Sequence, residues 1–164
     1  MRLLHDGKNL YLKAECRIPA GVAAVKWVPV SLGKRDGVLW NYESIELFLG
    51  RGKECYQFIL APDNCLLDLF IPQPPKKADR KWNSRKVQWS TVRQGLYWEG
   101  FLTVPLDELK FTEKSPENVF RFNAYRSSRF NMPGEPEKWE QCCYLPTYGG
   151  FRNIERFGTL TLAE

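Results

Sequence analysis

Val38-Leu39-Trp40-Asn41-Tyr42-Glu43-Ser44-Ile45-Glu46-Leu47-Phe48-Leu49-Gly50 runs a tryptophan into a segment of strict two-residue alternation. From Ser44, residues Ile45, Leu47 and Leu49 fall on one face and Ser44, Glu46 and Phe48 on the other, the period of a β-strand. A sheet face that sets a carboxylate beside aromatic rings makes a poor core. It suits a polar ring instead, because an aromatic face stacks on C–H groups while the carboxylate accepts hydroxyl hydrogen bonds. Trp40 follows Gly37 and precedes the strand, at a sheet rim where a flat ring can stay half exposed. Capping the core is its competing role.

Outward from this stretch the same period recurs. Alternating runs cover Leu10–Cys16, Val25–Val30, Glu43–Leu49, Cys55–Leu60, Cys65–Ile71, Val87–Val92, Leu96–Val104, Val119–Ser127 and Thr159–Leu162. Asp6-Gly7-Lys8-Asn9, Gly50-Arg51-Gly52-Lys53, Ala61-Pro62-Asp63-Asn64 and Arg93-Gln94-Gly95 separate neighbours with the residues hairpin turns need. Pro105-Leu106-Asp107-Glu108-Leu109 is the one helical signal, a short turn opened by proline and acidic residues. Many short strands without a long helix predict an all-β chain: one antiparallel β-sandwich domain over residues 1–164, immunoglobulin-like or jelly-roll-like, with one short helical turn.

At 164 residues the chain can bury a full core. Its 23 aromatics, six of them Trp, exceed what such a core requires, so some are expected at the surface. Alternation places Trp89 and Trp98 toward the core. The net charge is +5, but the 24 basic residues are scattered apart from Lys76-Lys77-Ala78-Asp79-Arg80-Lys81 and Arg85-Lys86. That cluster follows Pro72-Gln73-Pro74-Pro75 and reads as a solvated loop, so no nucleic acid is indicated. No apolar run approaches the roughly 20 residues that span a bilayer, and Met1-Arg2-Leu3-Leu4-His5-Asp6 is too polar for a signal peptide.

Catalysis finds little support. His5 is the sole histidine and lies in an N-terminus expected to fray. Glu43 and Glu46 stand three apart on a strand and therefore point to opposite faces, so they cannot flank one glycosidic bond. Gly50-Arg51-Gly52-Lys53 lacks phosphate-loop spacing and reads as a hairpin turn. The five cysteines, Cys16, Cys55, Cys65, Cys142 and Cys143, show no CxxC spacing. Adjacent Cys142 and Cys143 predict one inward and one outward thiol on an extended segment. No metal ligands are indicated and no dense acidic loop is present, although sandwich loops can hold calcium as a structural ion with scattered carboxylates. In Val119–Ser127, alternation puts Phe120, Phe122, Ala124 and Arg126 on one face and Arg121, Asn123 and Tyr125 on the other. Arg126 then needs a carboxylate, in a salt bridge or in a ligand, while Arg121, Asn123 and Tyr125 either line a groove or solvate the outside.

Taken in order, these segments resemble carbohydrate-binding module family 9. Asp6-Gly7-Lys8-Asn9-Leu10-Tyr11-Leu12 is similar to its opening strand, Trp40 through Gly50 to its W-x-x-D-S-x-E-[IL]-F segment, and Tyr56-Gln57-Phe58 to the next strand. Trp98-Glu99-Gly100-Phe101-Leu102-Thr103-Val104-Pro105-Leu106, Phe122-Asn123-Ala124-Tyr125-Arg126 and Phe151-Arg152-Asn153-Ile154-Glu155-Arg156-Phe157-Gly158 resemble its later signatures. The chain begins without the strand and tryptophan that ordinarily precede this pattern.

The resemblance implies a non-catalytic sandwich that holds a terminal sugar ring between two aromatic side chains. It implies an extracellular or periplasmic setting, a longer carbohydrate-active parent and a saccharide partner, with no membrane insertion. Trp40 matches the first aromatic, Glu46 the carboxylate and Phe151 the second aromatic; Asn123 and Arg126 are secondary candidates, and Tyr148 or Trp139 is an alternative second wall. Phe151 stands where the best sugar binders carry tryptophan, Glu43 where Asp is usual, and Ile59 where an arginine can stand. Two alternatives remain: an interaction or assembly sandwich whose sugar site has decayed, and a cytochrome-type sandwich binding haem through His5, Met1 or Met132.

Overall fold

The computed structural model describes residues 1–72, 77–112, 116 and 118–163. Gln73-Pro74-Pro75-Lys76, in the proline break and at the head of the basic loop, lies outside the described residues. Strands β1 (Arg2–His5), β2 (Asn9–Arg17), β7 (Gln88–Gln94) and β8 (Tyr97–Pro105) form a four-stranded antiparallel sheet in the order β1-β2-β8-β7. The second sheet contains β3 (Ala24–Val25), β4 (Ser44–Arg51), β5 (Glu54–Ala61), β6 (Cys65–Ile71), β9 (Val119–Asn131), β10 (Glu137–Cys143) and β11 (Gly158–Thr161). Its order is β10-β9-β4-β5-β6, with β3 and β11 also on β9.

The two sheets pack face to face. Leu10, Leu12 and Ala14 of β2 and Trp98, Leu102 and Val104 of β8 meet Ile45, Leu47 and Leu49 of β4, Phe58 and Leu60 of β5, and Phe120, Phe122 and Ala124 of β9. The alternation predicted for β4 and β9 therefore places the expected faces in the core. Trp98 is fully buried. Trp89 is half-buried at the margin, its indole Nε1 donating to the Asn64 carbonyl. A β-carbon at Gly100 would lie 2.7 Å from Leu60 Cδ2, so the sheets approach too closely there for any larger residue. Asp63 (φ 65°) and Asn64 (φ 61°) make the left-handed turn joining β5 to β6.

Glu43 ties the sheets together at one end. Its Oε1 accepts from Trp98 Nε1 on β8 (3.0 Å) and from Arg126 Nε on β9 (2.9 Å). Arg126 also donates from Nη2 to the Arg17 carbonyl at 2.9 Å. A carboxylate this deep is tolerable only with such partners.

Three segments depart from expectation. The strand expected over Val25–Val30 stops at Val25; Pro29 has no N–H to offer a ladder, and Val30–Leu32 turns as a 3-10 helix. The N-terminus expected to fray is β1, paired along β2 from Arg2↔Lys13 to His5↔Leu10. β10 was not anticipated. It pairs with β9 from Glu137↔Asn131 to Cys143↔Tyr125 at the sheet margin, and both Cys142 and Cys143 are exposed rather than one inward and one outward. Beyond the turn predicted at Pro105–Leu109, found as Leu106–Glu108, there are further 3-10 turns at Leu39–Asn41 and Ile154–Arg156. No helix among the described residues is long and apolar enough to cross a membrane.

Candidate functional site

The outer face of the larger sheet is covered as well. Val28 and Leu39 pack with Ile59, Leu67 and Leu69 in one apolar cluster, while Ile154 and Phe157 pack with Phe48 and Tyr125 in another. Glu46 stands where the two part, since its register neighbours are Ile59 on β5 and Tyr125 on β9. Here a cleft of about 1220 Å³ opens, lined by Trp40, Glu46, Gln57, Trp139, Phe151 and Arg152 among others. That is above the roughly 300–1,000 Å³ of ordinary small-molecule pockets.

Glu46 forms the floor. Only 2% of it is exposed. Its Oε2 accepts from Gln57 Nε2 at 2.7 Å, and Gln57 Oε1 in turn accepts from Arg152 Nη2 at 2.9 Å and Nε at 3.2 Å. Glu46 Oε1 is buried without a hydrogen-bond partner among the described residues. Burial pushes the carboxyl up to about 7, against the opposing pull of the Gln57 hydrogen bond and the Arg152 charge. Near neutral pH Oε1 can therefore accept a hydrogen bond when ionised or donate one when protonated.

The walls are aromatic. Trp40 sits on the 3-10 turn Leu39–Asn41, which buried Leu39 anchors in the cluster around Ile59. The Arg80 guanidinium lies 5.3 Å from the Trp40 ring centre. Phe151 stacks on Tyr125 at 4.3 Å with 25° between the planes. Trp139, half exposed on β10, lines the cleft with the Arg129 guanidinium 4.4 Å from its ring centre.

The sequence matches no family model and no curated protein. The fold, however, is well represented among solved structures. A protein from Bacteroides uniformis ATCC 8492 whose proposed role is carbohydrate binding superposes with a TM-score of 0.71 at 15% identity, over 99% of this chain and 77% of that one. A family 9 carbohydrate-binding module from Caldicellulosiruptor kristjanssonii in complex with cellotriose superposes with a TM-score of 0.59 at 12% identity, over 98% and 72%. A family 9 module from the same organism in complex with glucose gives 0.59 at 11% identity, over 99% and 74%. The fold is that of the family 9 carbohydrate-binding modules.

Within this family 9 fold, Trp40, Glu46 and Phe151 line one cleft. Asn123 and Arg126 do not join them. Asn123 is fully buried and saturated: Nδ2 donates to the Leu145 carbonyl (2.9 Å) and Tyr125 Oη (3.1 Å), and Oδ1 accepts from the Ala124 and Leu145 amides. It pins the 144–147 segment to the sheet. Arg126 faces the interior, engaged by Glu43. Tyr148 is 81% exposed at φ 45°, next to the cleft-lining Gly149 and Gly150 but outside the lining itself.

Ile59 is buried in the apolar cluster with Leu67 and Leu69, and the guanidinium near Glu46 comes instead from Arg152, on the loop before β11. Gln57, Arg152 and Arg80 are the cleft residues that sequence reasoning missed. Gln57 had a signal, a polar residue on the outward side of β5 across from Phe48. His5, Met1 and Met132, the candidate haem ligands, do not line the cleft. Among the described residues no group of three or more His, Cys, Asp or Glu could hold a metal ion.

Proposed function

We propose that this chain is a non-catalytic carbohydrate-binding domain that holds a sugar ring at Trp40, with Phe151 as the facing aromatic. The observation that carries the reading is Glu46 Oε1, a buried polar atom without a partner among the described residues, in an aromatic-walled cleft. A ring hydroxyl would satisfy it, and the Gln57–Arg152 chain fixes the carboxyl for that purpose. The glucose and cellotriose bound by the C. kristjanssonii module support the same ligand class. Glu43 and Glu46 serve opposite faces of the sheet, which speaks against a hydrolytic pair. An extracellular or periplasmic role within a longer carbohydrate-active protein follows from this reading.

Affinity is expected to be modest, because each polar contact replaces one to water. Calorimetric titration with neutral and acidic mono- and disaccharides is the test. Binding should weaken at least about tenfold in Trp40→Ala. No heat with any sugar, or unchanged binding in Trp40→Ala, would sink the reading. One observation favours the alternative of an assembly domain with a decayed site: Arg80 and Tyr125 each occupy a face of the two walls. On that alternative no sugar of any class binds.

A further inference from the structure

The charge of the cleft narrows the ligand class. Lys53, Lys77, Arg80 and Arg152 line it against two carboxylates, Glu46 and Glu155, and burial keeps Glu46 partly neutral near pH 7. Some cations elsewhere in the molecule pair with carboxylates: Arg35 with Asp68, Arg126 with Glu43, Arg93 with Asp63, Lys86 with Asp107. Lys77 and Arg80 have no such partner among the described residues.

The two guanidiniums are also placed rather than loose. Arg152 is held by Gln57 through two nitrogens, and Arg80 by the Trp40 ring. Burial is what chiefly disfavours the Arg152 charge, and repulsion from the Arg80 charge adds a smaller push in the same direction. An anion between them relieves this repulsion, and a planar carboxylate or a sulfate matches the guanidinium fork. A neutral sugar stacking on Trp40 has to compete with Arg80 for the ring. A sugar carrying its own anion uses Arg80 instead.

We propose that the cleft takes an acidic saccharide, its ring at Trp40 and its anionic substituent paired with Arg80 and Arg152. This rests on the sugar-binding reading above. The anion is either a uronic acid carboxylate or a sulfate ester.

Calorimetry at low ionic strength with glucose, glucuronate and glucose 6-sulfate, alongside acetate and inorganic sulfate alone, tests it. Glucuronate or glucose 6-sulfate should bind at least about tenfold tighter than glucose, with the preference shrinking as salt is raised. Whichever binds more tightly identifies the anion. Arg80→Gln should bring the ratio of acidic to neutral affinity within about threefold; Arg80 is exposed, and circular dichroism checks that the variant folds. Glucose binding as tightly as both acidic sugars overturns the acidic class and leaves sugar binding standing, as does an unchanged ratio in Arg80→Gln. Acetate or sulfate alone binding as tightly as its sugar-borne form overturns the proposal in favour of a plain anion site. No heat with any sugar removes both readings together.

Discussion

The two sheets use their outer faces in opposite ways. β2 and β8 of the smaller sheet alternate buried and accessible residues, and their outer face carries surface chemistry: Lys13 bridges Glu15 and Glu99 at 3.0 and 3.1 Å and lies 5.5 Å from the Phe101 ring centre. β4 and β5 of the larger sheet are buried almost throughout, because loops roof their second face. An antiparallel sheet with one wet face needs no more than its inner core. A sheet roofed on both faces must place its polar residues deliberately, and Glu46 and Gln57 are where the larger sheet does so. On the proposed reading, binding belongs to the roofed face and stability to the packing between the sheets.

Variants can break or sharpen this division. The largest effect is expected at Trp98→Ala, which empties the space between the sheets and removes a donor from Glu43. It should cost about 3–5 kcal/mol in denaturant unfolding, while sugar affinity under folding conditions stays as in the wild type.

Glu46→Gln should reveal the strain of the roofed face. A carboxyl raised from 4.5 to about 7 on folding binds a proton in the native state that the unfolded chain has already released. Its contribution to stability is fully present below pH 4.5 and is lost as pH rises to about 7. The wild type should therefore lose about 3 kcal/mol relative to Glu46→Gln across that window, read from denaturation midpoints at several pH values. Parallel pH profiles for the two proteins would contradict the burial of this carboxyl.

Arg126→Ala comes next. It strands the Glu43 charge, but the guanidinium is already 24% exposed, so the cost should be about 2 kcal/mol rather than that of a wholly buried pair. Smallest is Phe101→Thr on the wet face of the smaller sheet, expected within about 0.5 kcal/mol of the wild type and neutral for sugar binding. A large loss there would mean that the outer face of the smaller sheet is not simply solvated.

Legibility in the sequence followed the same division. Strands with one face on the core declare themselves by alternation, so β2, β4, β8 and β9 could be read as strands, and β4 and β9 with their faces assigned. β10 could not, since Glu137-Lys138-Trp139-Glu140-Gln141-Cys142-Cys143 is exposed throughout and carries no apolar period; it is a strand because the edge of β9 opposite β4 offers it a partner. β1 is only four residues long, too short for its alternation to stand out. In the cleft, Glu46 was legible as a carboxylate out of place on a strand. Arg152 and Arg80 lie on loops, where position depends on the roof they help to build and leaves no periodic trace.

β10 carries a liability along with Trp139. Its seven exposed residues stand at the margin of a sheet, and an unpaired row of amides and carbonyls is a template on which another chain can continue the ladder. What discourages such growth is charge: Glu137 pairs with Lys26 and Arg129, and Lys138 with Glu135. Neutralising these groups should raise the tendency of this edge to pair with another chain.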